Sequence, residues 1–218
     1  MANDLRAFED KAYAAGCRRV AGVDEAGRGP LAGPVVAAAV ILPRGFAHPG
    51  IDDSKRLSPA RREALYGRIY AAAEAIGIGI VDAREIDRVN ILRAALGAMA
   101  MAVENLFPPP DRLLVDGPFP LPLPIPQEPI PGGDGRSLTI AAASIIAKVT
   151  RDRLMALCDT HFPGWDFARH KGYPTAEHRA AIRLHGCSPI HRRSFRGVRE
   201  ALARVEEAVH GGPPPGAC

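Results

Sequence analysis

The chain has 218 residues, of which 47% are hydrophobic and 24% are charged, and its formal net charge is +4. This composition is typical of a soluble globular protein with one well-buried core, and the basic balance is mild evidence for a polyanionic partner. It excludes a membrane-spanning protein, because no stretch approaches the roughly 20 apolar residues that a membrane helix needs.

The N-terminus and the cysteines bear on location. Residues 1–5 show neither the basic nor the apolar region of a secretory signal. The four cysteines are scattered without metal-ligand spacing, which favours reduced thiols over a zinc site. We therefore expect a cytoplasmic protein. We also predict that it has no membrane partner and acts as a monomer.

In chain order, the first predicted elements are a short polar helix within residues 1–17 and two buried strands. The strands are apolar runs at residues 20–23 and 35–42, each bounded by Gly or Pro. A loop rich in Pro, Gly and Asp follows at residues 43–53. Ser58 and Pro59 then predict the start of a helix, with serine as the N-cap and proline at the first helical position.

The remaining chain alternates strands with helices. Apolar runs predict strands at residues 77–81 and 112–117, and the Pro-rich segment 118–133 is expected to be a loop or loose edge strand. Helical spacing predicts helices at residues 83–88, 90–106, 137–157, 176–185 and 197–210, with an irregular aromatic segment at 162–172. This order indicates an α/β fold, in which a mixed β-sheet is flanked by helices and a small C-terminal helical extension follows residue 173.

Acidic residues in or beside buried strands indicate a metal site. Asp24 and Glu25 interrupt the first apolar run, Asp116 ends a later strand, and Asp134 precedes the longest helix. Hard oxygen ligands suit Mg²⁺ or Mn²⁺. Neighbouring strand residues point to opposite faces, so Asp24 and Glu25 share a site only if the strand bends or Glu25 uses its carbonyl. Taken alone, Asp116 is equally compatible with a strand-ending turn, and Asp134 is more typical of one.

Basic residues concentrate in the C-terminal quarter, at residues 170–174 and 191–196, where Tyr173 and Phe195 interleave with them. This pattern suits phosphate contacts and stacking, although a charge run is more often a solvated face. We expect phosphate contacts from three of these residues, Lys171, Arg192 and Arg193.

On the longest predicted helix, Ser144 and Lys148 are one turn apart and could present a phosphate-binding edge. Lys148, Arg151 and Asp152 are equally compatible with simple ion pairs on the surface. The sequence pattern leaves both interpretations of this helix open.

Together these stretches resemble the ribonuclease HII family. The matching segments are residues 21–30 (AGVDEAGRGP), 53–58 (DSKRLS), 90–92 (NIL), 114–117 (LVDG), 142–152 (AASIIAKVTRD), 170–175 (HKGYPT) and 191–195 (HRRSF). They occur in the family's order and cover the chain from about residue 18 to residue 198. The resemblance implies a ribonuclease-H-like catalytic domain over residues 1–173 and a substrate-binding extension over residues 174–218.

The resemblance also implies a metal-dependent endonuclease that uses Mn²⁺ or Mg²⁺, with two metal ions. Such an enzyme would cut the RNA strand of RNA–DNA hybrids and single ribonucleotides embedded in duplex DNA. Cleavage would fall on the 5′ side of the ribonucleotide and leave 3′-OH and 5′-phosphate ends.

Residue roles carry over by position. The catalytic and metal-binding carboxylates would be Asp24, Glu25, Asp116 and Asp134. Gly27, Arg28 and Gly29 would read the 2′-hydroxyl of the ribonucleotide, and Tyr173 would stack beside its sugar. Ser144 and Lys148 would lie near the substrate backbone.

Two other interpretations remain open. An integrase- or resolvase-like DNA nuclease also uses three or four carboxylates, but it has no need of a 2′-hydroxyl reader. A non-catalytic nucleic-acid-binding module explains the isoelectric point near 9.1 but leaves acidic residues in apolar strands without a purpose. Cleavage of a ribonucleotide-containing duplex with Mn²⁺, and not with chelator, separates an enzyme from a binder.

Overall fold

The structure is a computed structural model that describes residues 5–46, 50–51 and 57–210, with side chains described as far as residue 204. The family-like segment DSK at residues 53–55 and part of the predicted loop at 43–53 therefore lie outside the described residues. The polar helix predicted near the N-terminus is present as α1, Ala7–Ala14.

One five-stranded sheet organises the fold. Its strands are β1 (Val20–Ala26), β2 (Val35–Ile41), β3 (Ala75–Val81), β4 (Arg112–Asp116) and β5 (Gln127–Ile130). Their order across the sheet is β3-β2-β1-β4-β5. Strand β1 pairs antiparallel with β2 and parallel with β4, so the sheet is mixed and the predicted α/β class is confirmed.

The helices that follow β2 begin, where a side chain caps them, at or close to the expected residues. They are α2 (Pro59–Ala72), α3 (Ala83–Val89), α4 (Ile91–Glu104), α5 (Leu138–His161), α6 (Phe167–His170), α7 (Ala176–His185) and α8 (Val198–His210). The Ser58 hydroxyl accepts from the amide of Arg61 at 3.3 Å and caps α2. The short helix α6 lies in the segment that was predicted to be irregular. No helix in the described part of the chain is long and apolar enough to cross a membrane.

The amino end of α5 lies directly against β1 at Gly22. A Cβ on Gly22 would come within 2.1 Å of the carbonyl carbon of Thr139, so this approach requires glycine. The buried side chain of Glu9 then caps the helix, because its Oε1 accepts from the Thr139 amide at 2.9 Å. These contacts fix α5 beside the strand that carries Asp24.

The chain forms two compact units. The first comprises residues 1–28 and 34–153, and the second comprises residues 29–33 and 154–218. The first unit contains the sheet and a core of Ala, Ile and Val side chains from β2, α2 and α5. The second contains small apolar clusters around Phe167 and Val198. This division differs from the predicted domain boundary after residue 173, which stays a prediction.

Candidate active site

Three carboxylates meet at the carboxyl ends of the two central parallel strands. The register pairs Val23 of β1 with Val115 of β4, so the next residues, Asp24 and Asp116, are neighbours at one edge of the sheet. One carboxylate oxygen from each of Asp24, Glu25 and Asp116 lies within 4.8 Å of the others. Glu25 therefore reaches the group through its side chain, and a contribution through its backbone carbonyl alone is not needed.

Asp24 occupies the least favourable of these positions for a negative charge, since it is only 4% exposed. Burial raises the pKa of Asp24 well above its ordinary value, and the charges of Glu25 and Asp116 raise this pKa further. Hydrogen bonds from the Ser144 side chain and from the Glu25 amide, at 2.7 Å, act in the opposite direction. The site is therefore electrostatically suited to a cation, whose charge would favour the ionised form.

Asp116 is held by the turn that carries Asp134. Its Oδ1 accepts from the Gly133 amide at 2.6 Å, and Asp134 follows in a single 3₁₀ turn, Gly133–Gly135. Asp134 is buried, but it is not one of the three carboxylates within 4.8 Å of one another. Its role as a fourth metal ligand stays a prediction.

Gly27 and Arg28 follow the acidic pair within the first unit. The φ angle of Gly27 is +101°, and a Cβ there would lie 2.1 Å from Nε of Arg151, so this position requires glycine. The Arg28 side chain is half exposed, and its guanidinium reaches Oε1 of Glu25 at 3.3 Å. The glycine-rich segment thus starts beside the carboxylates.

Helix α5 places its polar residues differently from a simple surface helix. Arg151 is fully buried and donates from Nε to the Pro34 carbonyl at 2.9 Å, so a surface ion pair is wrong for this residue. Lys148 does pair with Asp152, at 2.7 Å. Ser144 is buried and bonds to Asp24, while its predicted proximity to substrate stays a prediction.

In the second unit, Gly29 lies beside Tyr173. A Cβ built on Gly29 would be 4.0 Å from Cε1 of the tyrosine ring, which is 39% exposed. The Leu31 amide donates to the Gly172 carbonyl at 2.8 Å. These contacts bring together the two segments to which the family resemblance assigns ribonucleotide recognition.

The two adjacent arginines of this unit have opposite environments. Arg192 is fully buried, and it donates to the Pro30 carbonyl from Nη1 at 2.8 Å and to the Gly33 carbonyl from Nε at 3.0 Å. The Arg192 guanidinium therefore lies inside the fold, bonded to backbone carbonyls, and not at the surface where the predicted phosphate contact would be. Arg193 is exposed and Lys171 is partly exposed, so both keep access to solvent.

Three histidines of the second unit, His170, His178 and His191, are also buried. Burial lowers the pKa of both His178 and His191 to about 4, so these rings are neutral at pH 7. The basic pattern at residues 170–174 and 191–196 places His170 and His191 among the candidates for phosphate contact, and it does not single out His178. No spacing in the sequence relates the three rings, because the fold alone brings them together.

Comparison with known proteins points to one family. The family described as ribonuclease HII matches residues 21–198. A curated ribonuclease HII of Geobacter sulfurreducens is 63% identical over 195 residues, covering 89% of this chain and 90% of that protein. A ribonuclease HII of Geobacillus kaustophilus is 59% identical over 207 residues, covering 94% of this chain and 78% of that protein. The crystal structure of ribonuclease H2 from Pyrococcus horikoshii aligns with a TM-score of 0.72 and 27% identity, covering 87% of this chain and 100% of that chain.

Proposed function

The chain belongs to the ribonuclease HII family of endoribonucleases that act on RNA–DNA hybrids, and we propose that it also cuts at single ribonucleotides in duplex DNA. Cleavage falls on the 5′ side of the ribonucleotide and leaves 3′-OH and 5′-phosphate ends. The observation that carries this proposal is the group formed by Asp24, Glu25 and Asp116, because three crowded carboxylates are costly without a bound cation.

The residues of this group fit a divalent metal ion. All offer hard carboxylate oxygens, the ligands that Mg²⁺ and Mn²⁺ prefer, and Asp24 and Asp116 directly follow the last paired residues of the parallel strands β1 and β4. Asp24, Glu25 and Asp116 would hold the metal, and Asp134 would join them from its adjacent turn. Bound metal ions, two in the proposed enzyme, supply charge stabilisation for the phosphoryl oxygens and an activated water.

The remaining residues of the first unit orient these ligands. Ser144 donates to Asp24 and keeps this carboxylate oriented toward Glu25 and Asp116. The Gly133 amide does the same for Asp116, through a bond of 2.6 Å. Ordered ligands of this kind lower the cost of binding, because less side-chain freedom is lost when a cation arrives.

Recognition of the ribonucleotide falls to the segment of Gly27, Arg28 and Gly29 together with Tyr173. A protein distinguishes RNA from DNA at one position by contacting the 2′-hydroxyl, which is both a donor and an acceptor. Glycine permits backbone groups to reach it, and the exposed Tyr173 ring beside Gly29 is available to stack on the sugar. Arg193 and Lys171 supply phosphate contacts that carry no sequence information.

A panel of three duplexes tests the proposal. One holds a single ribonucleotide, one holds four consecutive ribonucleotides, and one is entirely DNA; each is incubated with Mn²⁺ or with chelator. We expect cleavage of the first two duplexes with Mn²⁺ only, and products whose 3′ ends a DNA polymerase can extend. Cleavage of the all-DNA duplex would favour a general DNA nuclease, and binding without cleavage would favour a non-catalytic module.

The same panel compares single ribonucleotides with longer hybrids and, with Mg²⁺ in place of Mn²⁺, compares the two metals. That the protein acts as a monomer in the cytoplasm is part of the proposal. Analytical ultracentrifugation of the free protein and of its duplex complex measures the oligomeric state.

A further inference from the structure

Tyr173 lies in the short loop between α6 and α7, and the backbone of this loop is unusual. Lys171 and Gly172 both have positive φ angles, of 53° and 80°. A Cβ on Gly172 would lie 2.5 Å from the Ala32 carbonyl oxygen, so the loop packs closely on the segment that follows Gly29. A loop of this shape lacks the repeating bonds of a helix or strand, and it needs fixed partners to hold one orientation.

A chain of side-chain hydrogen bonds ends on this loop. The Ser188 amide lies 2.8 Å from Nδ1 of His191. Nε2 of His191 lies 3.0 Å from Nε2 of His178. Nδ1 of His178 lies 2.9 Å from the carbonyl oxygen of Tyr173. We call these three residues, Ser188, His191 and His178, the relay.

The partners at the two ends of the relay determine which ring nitrogens of His178 and His191 carry protons. A backbone amide can only donate, so Nδ1 of His191 accepts and its proton is on Nε2. A carbonyl can only accept, so His178 carries its proton on Nδ1 and its Nε2 accepts from His191. Both rings are neutral, and the bonds run in one direction from Ser188 to Tyr173.

The surroundings keep the relay in this state. His178 is fully buried and His191 is 3% exposed. The His178 ring also stacks on His170, with ring centroids 4.2 Å apart, and it forms a T-shaped pair with Phe167 at 5.6 Å. A second proton on His178 would face the Nε2–H of His191, and a second proton on His191 would face the Ser188 amide, so either would set donor against donor in a site closed to water.

We propose that the relay positions Tyr173 for ribonucleotide recognition, by fixing the Tyr173 carbonyl and with it the direction of the aromatic ring beside Gly29. This inference rests on the proposed function, in which the Tyr173 ring contacts the ribonucleotide sugar. His178 and His191 are positioning residues, since they act through Tyr173.

Nitrogen-15 NMR of the full chain at pH 7 measures the proton positions directly. We expect His178 to carry its proton on Nδ1 and His191 to carry its proton on Nε2, with both rings neutral. The reverse tautomer of either ring, or a charged ring, would overturn the proposal, because the directed chain to the Tyr173 carbonyl could not exist.

Enzyme variants test the functional step. His178→Phe keeps a ring but removes the donor, while His178→Asn keeps an N–H near the position of Nδ1. His185→Phe is the matched control, because this ring lies 5.6 Å from Trp165 in the same unit but outside the relay. We expect His178→Phe to lower kcat/KM on the single-ribonucleotide duplex about tenfold, the scale of one lost hydrogen bond, with Kd for all-DNA duplex unchanged. His178→Asn should recover most of the loss, and His185→Phe should match the parent.

Tyr173→Ala, measured in parallel, distinguishes failure of the sugar contact in the proposed function from failure of the relay proposal. If Tyr173→Ala cleaves like the parent, the sugar contact in the proposed function fails. If Tyr173→Ala loses cleavage while His178→Phe does not, only the relay proposal fails. Equal losses of cleavage and all-DNA affinity in His178→Phe would also overturn it, by making His178 a purely structural residue. Should His178→Phe not fold, the tautomers and the His178→Asn kinetics decide.

Discussion

Replacing Asp116 by Asn is the most direct test of the carboxylate group. The substitution removes one negative charge and keeps an oxygen that can accept from the Gly133 amide, which lies 2.6 Å from Oδ1. The new amide nitrogen adds a donor to a group in which the ionised carboxylates of Asp24 and Glu25 can only accept. The variant should therefore fold as the parent does.

The magnitude follows from the separation of the charges. Two unit charges 4.8 Å apart repel by about 3 kcal/mol at an effective dielectric constant of about 20. Glu25 and Asp116 are partly exposed, so solvent screens their charges, and the stability gained is smaller than the full repulsion of two such pairs. We expect Asp116→Asn to raise the free energy of unfolding without metal by about 1–3 kcal/mol. In a chain of this size each kcal/mol raises Tm by about 2–4 °C.

The assay is thermal unfolding in chelator and over a Mn²⁺ titration, together with cleavage of the single-ribonucleotide duplex. Asp116→Asn should lose most of the metal-induced rise in Tm, and cleavage should fall about 100-fold or more. Glu63→Gln is the control, because Glu63 is an exposed carboxylate that pairs with Arg153 outside the group. Near-parental cleavage by Asp116→Asn, or an unchanged response of Tm to Mn²⁺, would refute the metal assignment.

Other variants test the fold, the second unit and the fourth carboxylate. Gly22→Ala should lower the free energy of unfolding by about 3 kcal/mol or more in a denaturant titration, since its Cβ would meet backbone; Gly97→Ala, in open space within α4, should raise it by about 0.5–1 kcal/mol. Arg192→Ala should lower the free energy of unfolding by about 2–4 kcal/mol, because two buried carbonyls lose their donor. Arg193→Ala should keep the parental Tm, and the slope of log K for duplex binding against log salt concentration should become shallower by about 1. Asp134→Asn should lower turnover clearly with little change in metal-free duplex affinity, and a rate within a few-fold of the parent would make it a turn residue. Between pH 7 and pH 5 the stability should fall by roughly 1–2 kcal/mol for each relay histidine. The sign follows because the folded pKa of about 4 lies below the ordinary 6.5, so the unfolded chain binds protons first as the pH falls. When Tm is measured at several pH values, it should fall less steeply with decreasing pH in His178→Phe than in the parent.

Short-range chemistry made much of the fold predictable from sequence. Ser58 and Asn90 cap helices through amides two or three residues away, and such bonds need no knowledge of the rest of the chain. The apolar runs likewise predicted two buried strands, one with Asp24 inside it and one with Asp116 at its end. Their meeting then follows from parallel pairing, because parallel strands bring their carboxyl ends to one edge.

The fate of each basic residue was not predictable in this way. Arg192 and Arg193 are neighbours of the same type, yet one is fully buried and the other exposed. What distinguishes them is a pair of carbonyl groups about 160 positions earlier in the chain, at Pro30 and Gly33. A pattern of charges does not show such long-range partners, so it cannot distinguish a buried arginine that bonds to backbone carbonyls from an exposed arginine that contacts phosphate.

Buried charge in this protein separates into two kinds, and the difference identifies the site. The charge of Arg192 is matched by backbone carbonyls that accept its donors at 2.8 and 3.0 Å, so this side chain stabilises the fold as it stands. Asp24 is equally buried and accepts from Ser144, but the charged groups that shift its pKa are two further carboxylates, which repel it. A fold keeps an arrangement of the second kind at a cost in stability, and a bound cation removes that cost. We therefore expect the chemistry of this chain at the acidic group rather than at the more numerous arginines.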